Sequence, residues 1–171
     1  MISPVIPTML VQLFPEQAAG ILIFDAFIEN LDRHAGNLAI DMVSRELAVY
    51  DHSHALLGPL PGKGAQRLSD LNAAGSLGIH NYPEPAGHFG NRHCLLDEVS
   101  DASHLGAWLD KIEGIPDYFL TRLSDESVKL GLSPAERDAL KRFLLQRKKN
   151  LRAMVQGQSK EFKKVTQWGL I

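Results

Sequence analysis

Apolar residues recur at helical spacing through residues 16–28, where Ile21, Phe24 and Ile28 fall on one face. Pro15 precedes this run, and proline favours the first turn of a helix. The pattern therefore predicts a helix over this range. Because the segment is apolar on almost every side, we expect the helix to be buried inside a larger fold.

Two short apolar runs follow this helix and flank a polar turn. The runs cover residues 38–40 and 47–50, and the turn between them covers residues 42–46. This arrangement predicts a β-hairpin. Because a hairpin returns the chain to the end where it started, we expect three side chains that precede its first strand or follow its second to share one rim: Asp32, Asn37 and Asp51.

The segments on either side of this region are predicted to be irregular. Residues 1–15 are apolar but contain three prolines, so we expect an extended or turning lead-in rather than a regular helix. Residues 58–91 are rich in Gly, Pro and Asn and are predicted to form a long loop, with one short helix over 67–74. Loops of this length in compact domains usually serve a function.

The last third of the chain is predicted to be a helical bundle over residues 103–157. Its three helices begin at a serine cap, a proline and a capping box: Ser103, Pro116 and Ser133 with Glu136. The third helix has an apolar face that we expect to point inward: Leu140, Phe143, Leu144, Leu151 and Val155. Its basic residues are expected on the outer face: Lys141, Arg142, Arg147, Lys148 and Lys149. No domain boundary is evident, so residues 1–171 are predicted to form a single domain.

Composition narrows the class of protein. The chain is 44% hydrophobic and 22% charged, and its formal net charge of -2 gives no general attraction to nucleic acid or to membranes. The single cysteine, Cys94, cannot form a disulfide within the chain, which favours a reducing compartment. No signal-peptide pattern and no apolar run of membrane-spanning length is present, so a cytoplasmic protein is expected.

The candidate chemistry lies at the rim of the hairpin. Asp32, Asn37 and Asp51 offer the carboxylate and amide oxygens that a hard cation such as Mg²⁺ prefers. Asp32 and Asn37 have the spacing of the kinase catalytic loop D-x-x-x-x-N, and Asp51 follows where a second metal-holding aspartate would stand. Singly, each residue could be an ordinary turn or capping residue, but the joint pattern favours a phosphoryl-transfer site.

Residues 30–37, N-L-D-R-H-A-G-N, followed by residues 50–55, Y-D-H-S-H-A, resemble the catalytic core of the HipA-like kinase family. The same residues are more distantly similar to phosphoinositide 3-kinase-like enzymes. The resemblance implies a mainly α fold with a small β-hairpin, in the manner of a kinase C-terminal lobe (α+β). It also implies the cofactors ATP and Mg²⁺ and phosphoryl transfer to a hydroxyl acceptor, with protein Ser or Thr as the expected target.

The resemblance also suggests a role for each matching residue. Asp32 would orient or deprotonate the acceptor hydroxyl, while Asn37 and Asp51 would hold the metal ions that bridge the phosphates. Arg33 and His34 would either neutralise phosphate charge or brace the loop, and for Arg33 we favour bracing by a carboxylate.

Three further side chains have roles that the sequence leaves open. Asp25 is either a partly exposed or capping carboxylate or the partner of an arginine in the loop. His52 and His54 alternate after Asp51, so they should point to opposite sides of an extended segment, with one of them facing the nucleotide. We include His52 with Asn37 and Asp51 as a candidate cofactor-binding residue.

The chain departs from a kinase in its first thirty or so residues. None of them resembles a Gly-rich loop or a strand bearing the phosphate-binding lysine, so the N-terminal lobe is expected to be absent. The chain could be a truncated product, could pair with a separate N-lobe chain or with itself, or could be an inactive remnant. We expect little or no kinase activity from it alone.

Two other functions compete with a kinase lobe. The first is a non-catalytic, kinase-like interaction module that binds a partner through the surface an N-lobe would cover. Residues 4–14 suggest that this surface is unusually apolar. The second is a metallohydrolase using some of the seven histidines, although the helical H-E-x-x-H arrangement is missing. The expected partners are ATP and a protein substrate, with neither a membrane nor nucleic acid.

Overall fold

The computed structural model of the chain describes residues 2–41, 43–75, 77–80 and 92–171. These residues form a mainly helical protein with a small antiparallel sheet, as predicted. The strands are β1 (Ile2–Pro4), β2 (Leu38–Asp41) and β3 (Glu46–Val49). The helices are α1 (Pro7–Leu13), α2 (Pro15–Ile28), α3 (Gly64–Ala74), α4 (Ala102–Glu113), α5 (Asp117–Glu126) and α6 (Pro134–Gly157).

Helix α2 lies at the centre of the core, as its apolar sequence predicted. It packs against α1, α4 and α6, and most of its residues are buried. Gly20 allows α4 to approach closely, because a Cβ atom at this position would overlap the indole ring of Trp108 on α4. The Trp108 Nε1–H donates to the Glu16 carbonyl at 2.8 Å, which fixes the ring over the helix.

The predicted hairpin is confirmed. Strands β2 and β3 pair antiparallel with Leu38 opposite Val49 and Ile40 opposite Leu47. Opposed residues of paired strands share one face, and these four side chains pack against the core. The sheet therefore places residue 37 and residue 50 side by side at one end.

The prediction for residues 1–15 is wrong in excluding a regular helix, although the first of these residues are extended. Strand β1 pairs antiparallel with β2, and α1 follows it as a regular helix. Pro7 stands in the first turn of α1, where the missing N–H costs no hydrogen bond, so it starts the helix instead of breaking it. Leu10 is fully buried while Ile6 and Leu13 remain exposed, so part of the expected apolar surface belongs to the core.

The region predicted as an irregular loop contains α3, which includes the expected short helix and begins three residues earlier. The part of that prediction covering residues 81–91 lies outside the described residues. Helix α4 also differs in detail, because its cap is Asp101 instead of Ser103. The Asp101 carboxylate accepts hydrogen bonds from the backbone N–H and the hydroxyl of Ser103, at 2.8 and 2.6 Å.

Helix α6 begins at the predicted capping box, in which Ser133 and Glu136 satisfy each other's backbone N–H groups. Its predicted apolar face is buried, but the assignment of Arg147 to the outer face is wrong. Arg147 is 2% exposed, and its guanidinium donates to a Glu29 carboxylate oxygen at 2.7 Å. Burial lowers the pKa of Arg147, with Glu29 opposing the shift.

The tail beyond α6 returns to the core. Phe162 and Val165 are buried, and the ring of Trp168 meets Phe162 edge-on with 5.3 Å between centroids. Among the described residues, no single helix has the length and apolar character needed to cross a membrane. Helices α1 and α2 reach that combination only as a pair, which is bent by 120°.

Candidate functional site

The candidate loop begins where α2 ends. Glu29 terminates the helix in the left-handed region, with φ of 52°, and its N–H donates to the Asp25 carbonyl. The Asn30 side chain then donates to the Asp25 carboxylate at 3.0 Å. Asp25 thus lies one turn inside a buried helix and holds the first residue of the loop.

Arg33 ties this loop to the hairpin. Its guanidinium is fully buried and binds both oxygens of Asp25, with Nε to Oδ2 at 2.7 Å and Nη2 to Oδ1 at 3.1 Å. The same group donates through Nη1 to the carbonyls of Asn37 at 3.1 Å and Tyr50 at 2.7 Å. The sequence left Arg33 as either a catalytic or a bracing residue, and these contacts are those of a bracing residue. The carboxylate that it was predicted to pair with is Asp25. We call Arg33, Asp25 and the groups that they bind the brace.

A segment distant in sequence completes the brace. The His93 Nε2 lies 3.1 Å from Asp25 Oδ2, while its Nδ1 accepts from the Leu95 N–H at 3.2 Å. Because Nδ1 is the acceptor, Nε2 carries the hydrogen and donates to Asp25. The next residue, Cys94, donates its N–H to the Arg33 carbonyl at 3.1 Å. Sequence reasoning missed this segment, because nothing near His93 marks it as a partner of α2.

Asp25 consequently accepts four hydrogen bonds in a nearly dry environment. Burial alone would raise its pKa, but the hydrogen bonds from His93 and Arg33 outweigh burial and lower the pKa from 3.8 to about 2. The carboxylate is therefore ionised at neutral pH. Cys94 responds in the opposite way, because burial raises the pKa of its thiol to about 12.

Asp32 and Asn37 are joined within the loop. The Asn37 side chain donates through Nδ2 to the Asp32 carbonyl at 2.9 Å, which leaves its Oδ1 as an acceptor. Asn37 is buried and Asp32 is half-buried. Within the described part of the chain, no donor reaches the carboxylate of Asp32 or the Oδ1 of Asn37.

Asp51 lies beside Asp32 and Asn37, although it comes much later in the sequence. The Tyr50 N–H donates to the Asn37 carbonyl at 3.2 Å, so Asp51 directly follows a residue paired with Asn37. Asp51 is exposed and has a left-handed φ of 55°, a conformation that is strained for a residue with a side chain. Hydrogen bonds from the hydroxyl and N–H of Ser53 to its Oδ1 lower the pKa of Asp51.

The chemistry of the side chains at this end of the hairpin suits a hard cation. The Oδ1 of Asn37 and the carboxylate of Asp51 are oxygen atoms of the kind that Mg²⁺ takes as ligands. Across the described ranges, no group of three or more His, Cys, Asp or Glu side chains is placed to hold a metal ion. Those residues thus give no support to the metallohydrolase alternative, and the cation site would depend on the Asn37 amide.

The three histidines of the two motifs separate. His34 accepts the Gly36 N–H at its Nδ1, 3.1 Å away, and so caps the short 3₁₀ turn Ala35–Asn37. The His52 Nε2 lies 2.9 Å from Arg33 Nη2 and accepts from it, because a guanidinium only donates. His54 lines a different cavity, beside Leu31.

The expectation that residues 52–54 are extended is wrong. The Ala55 N–H donates to the His52 carbonyl at 2.9 Å, so the segment is a turn. Of the two alternating histidines, His52 is the one in contact with the brace.

No family model, curated protein or solved structure matches this chain.

Proposed function

We propose that this chain is a kinase-like C-terminal lobe that takes part in ATP- and Mg²⁺-dependent phosphoryl transfer to a hydroxyl group, with protein Ser or Thr as the acceptor. One observation carries the proposal: the Arg33 guanidinium donates to the carbonyls of both Asn37 and Tyr50. This single group holds the end of the D-x-x-x-x-N loop against the residue that precedes Asp51. Such rigid support is what a site needs in order to position phosphate and metal.

Each residue of the loop then has one task. The Asp32 carboxylate has no donor among the described residues, so it is available to accept a hydrogen bond or proton from an acceptor hydroxyl. Asn37 would contribute its Oδ1 and Asp51 its carboxylate as Mg²⁺ ligands. When bound, ATP would supply the phosphoryl group, and Mg²⁺ would neutralise the charge that develops on it. Arg33 and Asp25 act through position only.

Residues 2–31 form β1, α1, α2 and the start of the loop, and none of them supplies a Gly-rich loop or a strand lysine. On this proposal the covering half of the nucleotide cleft comes from outside these residues. We therefore expect the 171-residue chain alone to show little or no kinase activity. Robust ATP turnover by the purified chain, abolished in Asp32→Ala, would contradict that expectation.

Exposed apolar side chains give some support to the second candidate, a non-catalytic interaction module. They lie on α5 and the turn that follows it: Tyr118, Phe119, Leu123, Val128 and Leu130. Single exposed apolar residues are ordinary, but a group of this kind marks interaction surfaces in other proteins. This candidate predicts that binding of the partner protein does not depend on nucleotide or Mg²⁺.

Nucleotide binding with and without Mg²⁺ separates the two candidates. We would titrate the chain with a non-hydrolysable ATP analogue by calorimetry, comparing the parent protein with Asp51→Asn. The matched control is Asp41→Asn, because Asp41 caps the turn at the opposite end of the hairpin and accepts from the Val43 N–H. We expect Mg²⁺-dependent binding that Asp51→Asn weakens by at least about tenfold, since a charged metal contact is lost, while Asp41→Asn has little effect. Binding that ignores Mg²⁺, or no binding at all, would overturn the kinase proposal.

A further inference from the structure

A cavity adjoins the candidate loop at Leu31. Its volume is about 710 Å³, which lies within the range of about 300–1,000 Å³ typical of ligand pockets. Apolar side chains from the loop, from the segment after Asp51 and from α3 form much of its wall: Leu31, Leu57, Pro59, Leu60 and Leu71. Leu31 directly precedes Asp32 in the loop, so the cavity wall includes the neighbour in sequence of the residue proposed to accept the hydroxyl proton.

Basic residues form part of the cavity wall. Lys63 and Arg67 line it, and Lys63 is the residue from which α3 begins. Within the described residues Lys63 forms no ion pair, and the buried Nη1 of Arg67 has no hydrogen-bond acceptor. The other terminal nitrogen of Arg67 donates to the carbonyls of Glu29 and His54, at 3.1 and 3.0 Å, so the guanidinium is held in place.

The start of α3 adds to this charge. Helix α3 has eleven residues, no side-chain cap and no acidic residue in its first turn. Its first N–H groups therefore offer hydrogen-bond donors at the positive end of the helix dipole. Of the described residues on the wall, Asp70 is acidic, and its carboxylate accepts a hydrogen bond from the Gln66 side chain at 2.7 Å.

We propose that this cavity binds the acceptor segment of the protein substrate, taking an aliphatic or aromatic side chain into its apolar part and a neighbouring Asp or Glu at Lys63 and the start of α3. The apolar wall stabilises the first group by burial, and Lys63, which has no ion pair among the described residues, selects a carboxylate over a neutral or basic residue. The Ser or Thr to be modified would then lie next to Leu31, within reach of Asp32. This inference rests on the proposed function for the identity of the acceptor.

The test uses peptide binding without ATP or Mg²⁺, so its outcome is separate from the nucleotide titration. A labelled peptide library with a fixed central Ser and randomised flanks would be selected on the immobilised chain. We expect enrichment of one large apolar residue and of one Asp or Glu near the Ser. Selection of peptides that lack either preference would overturn the proposal.

Charge reversal provides the matched comparison. In Lys63→Glu the preference for an acidic residue should disappear and affinity for the best acidic peptide should fall by about tenfold or more, because a charge-assisted contact becomes a repulsion. The apolar preference should persist. Lys149→Glu, an exposed residue of α6 that does not line this cavity, should leave both preferences unchanged. An unaltered acidic preference in Lys63→Glu would refute the proposed charge selection. Binding of octanoate by a chain that selects no peptide would assign the cavity to a small amphipathic acid and overturn the proposed occupant.

Discussion

Replacing Asp25 by Asn tests whether the buried brace holds the candidate loop. The carboxylate accepts from Asn30 and His93 and, through two nitrogens, from Arg33. An amide of the same size keeps one acceptor oxygen and places an NH₂ group against the other donors. It also leaves the Arg33 charge without its counter-charge in a site that is about 1% exposed.

Breaking a buried ion pair by removing one partner costs about 3–5 kcal/mol, because the remaining charge stays desolvated. For a chain of this size each kcal/mol moves the melting temperature by about 2–4 °C, so we expect a loss of roughly 6–20 °C. Urea unfolding followed by circular dichroism measures the free energy directly. The matched control is Asp138→Asn, since Asp138 pairs with Arg137 at the surface and its loss should cost less than about 1 kcal/mol.

Two results would refute this reasoning. One is a free energy of unfolding for Asp25→Asn within about 1 kcal/mol of the parent, a loss no larger than that of a surface pair. The other concerns nucleotide binding by the double variant Asp25→Leu with Arg33→Met. This variant lacks both charges and should recover part of the lost stability. That double variant should nevertheless lose Mg²⁺-dependent nucleotide binding, because the Arg33 guanidinium no longer bridges the carbonyls of Asn37 and Tyr50. Full retention of that binding would show that the brace does not position the site.

The same carboxylate makes stability depend on acidity. The pKa of Asp25 is lowered from 3.8 to about 2 on folding, so the unfolded chain binds its proton more readily. The stabilisation is fully present above about pH 4 and is lost as the pH falls to about 2, with a magnitude of roughly 2 kcal/mol. Subtracting the Asp25→Asn curve from the parent curve isolates this contribution. A difference that stays constant between these two pH values would contradict it.

Three further substitutions test the packing. Gly20→Ala should lower the free energy of unfolding in urea by about 1–3 kcal/mol, because the new methyl group overlaps Trp108. If that overlap is the cause, the loss should be smaller in a Trp108→Ala background. Arg147→Met should cost about 3–5 kcal/mol by the same measurement, because the ion pair between Arg147 and the buried Glu29 is lost; a loss below about 1 kcal/mol would contradict that account. Gly157→Ala should raise the free energy of unfolding by about 0.5 kcal/mol and the melting temperature slightly, since no atom obstructs the new methyl group. A lower melting temperature would show that the helix end needs glycine.

The elements with strong local signals were predictable from the sequence. The capping box of Ser133 and Glu136 marks the start of α6, and the apolar alternation around residues 38–49 marks the hairpin. Pro7 shows where local reading fails, because proline both breaks helix interiors and begins helices, and only the burial of Leu10 decides between the two.

Arg147 shows a different limit. It stands four residues from both Phe143 and Leu151, so helical spacing already placed it on the inner face. Its charge led to the opposite assignment. The residue that justifies its burial, Glu29, lies on a distant part of the chain, and sequence alone gave no reason to pair them. Within the candidate site the same limit applies, since Asp25 and Arg33 are near neighbours and could be paired in advance, whereas His93 could not.

The bond between His93 and Asp25 joins residues 68 positions apart. Closing a chain segment of that length costs about 4 kcal/mol of loop entropy beyond a constant term. Helix α2, the hairpin and the bonds of Arg33 to Asp25, Asn37 and Tyr50 involve residues 25–50 alone, whereas His93 is synthesised several seconds later, at about 5–20 residues per second. In a nascent chain Asp25 can therefore hold Arg33 first, and the last of its four donors arrives only with residues 92–95.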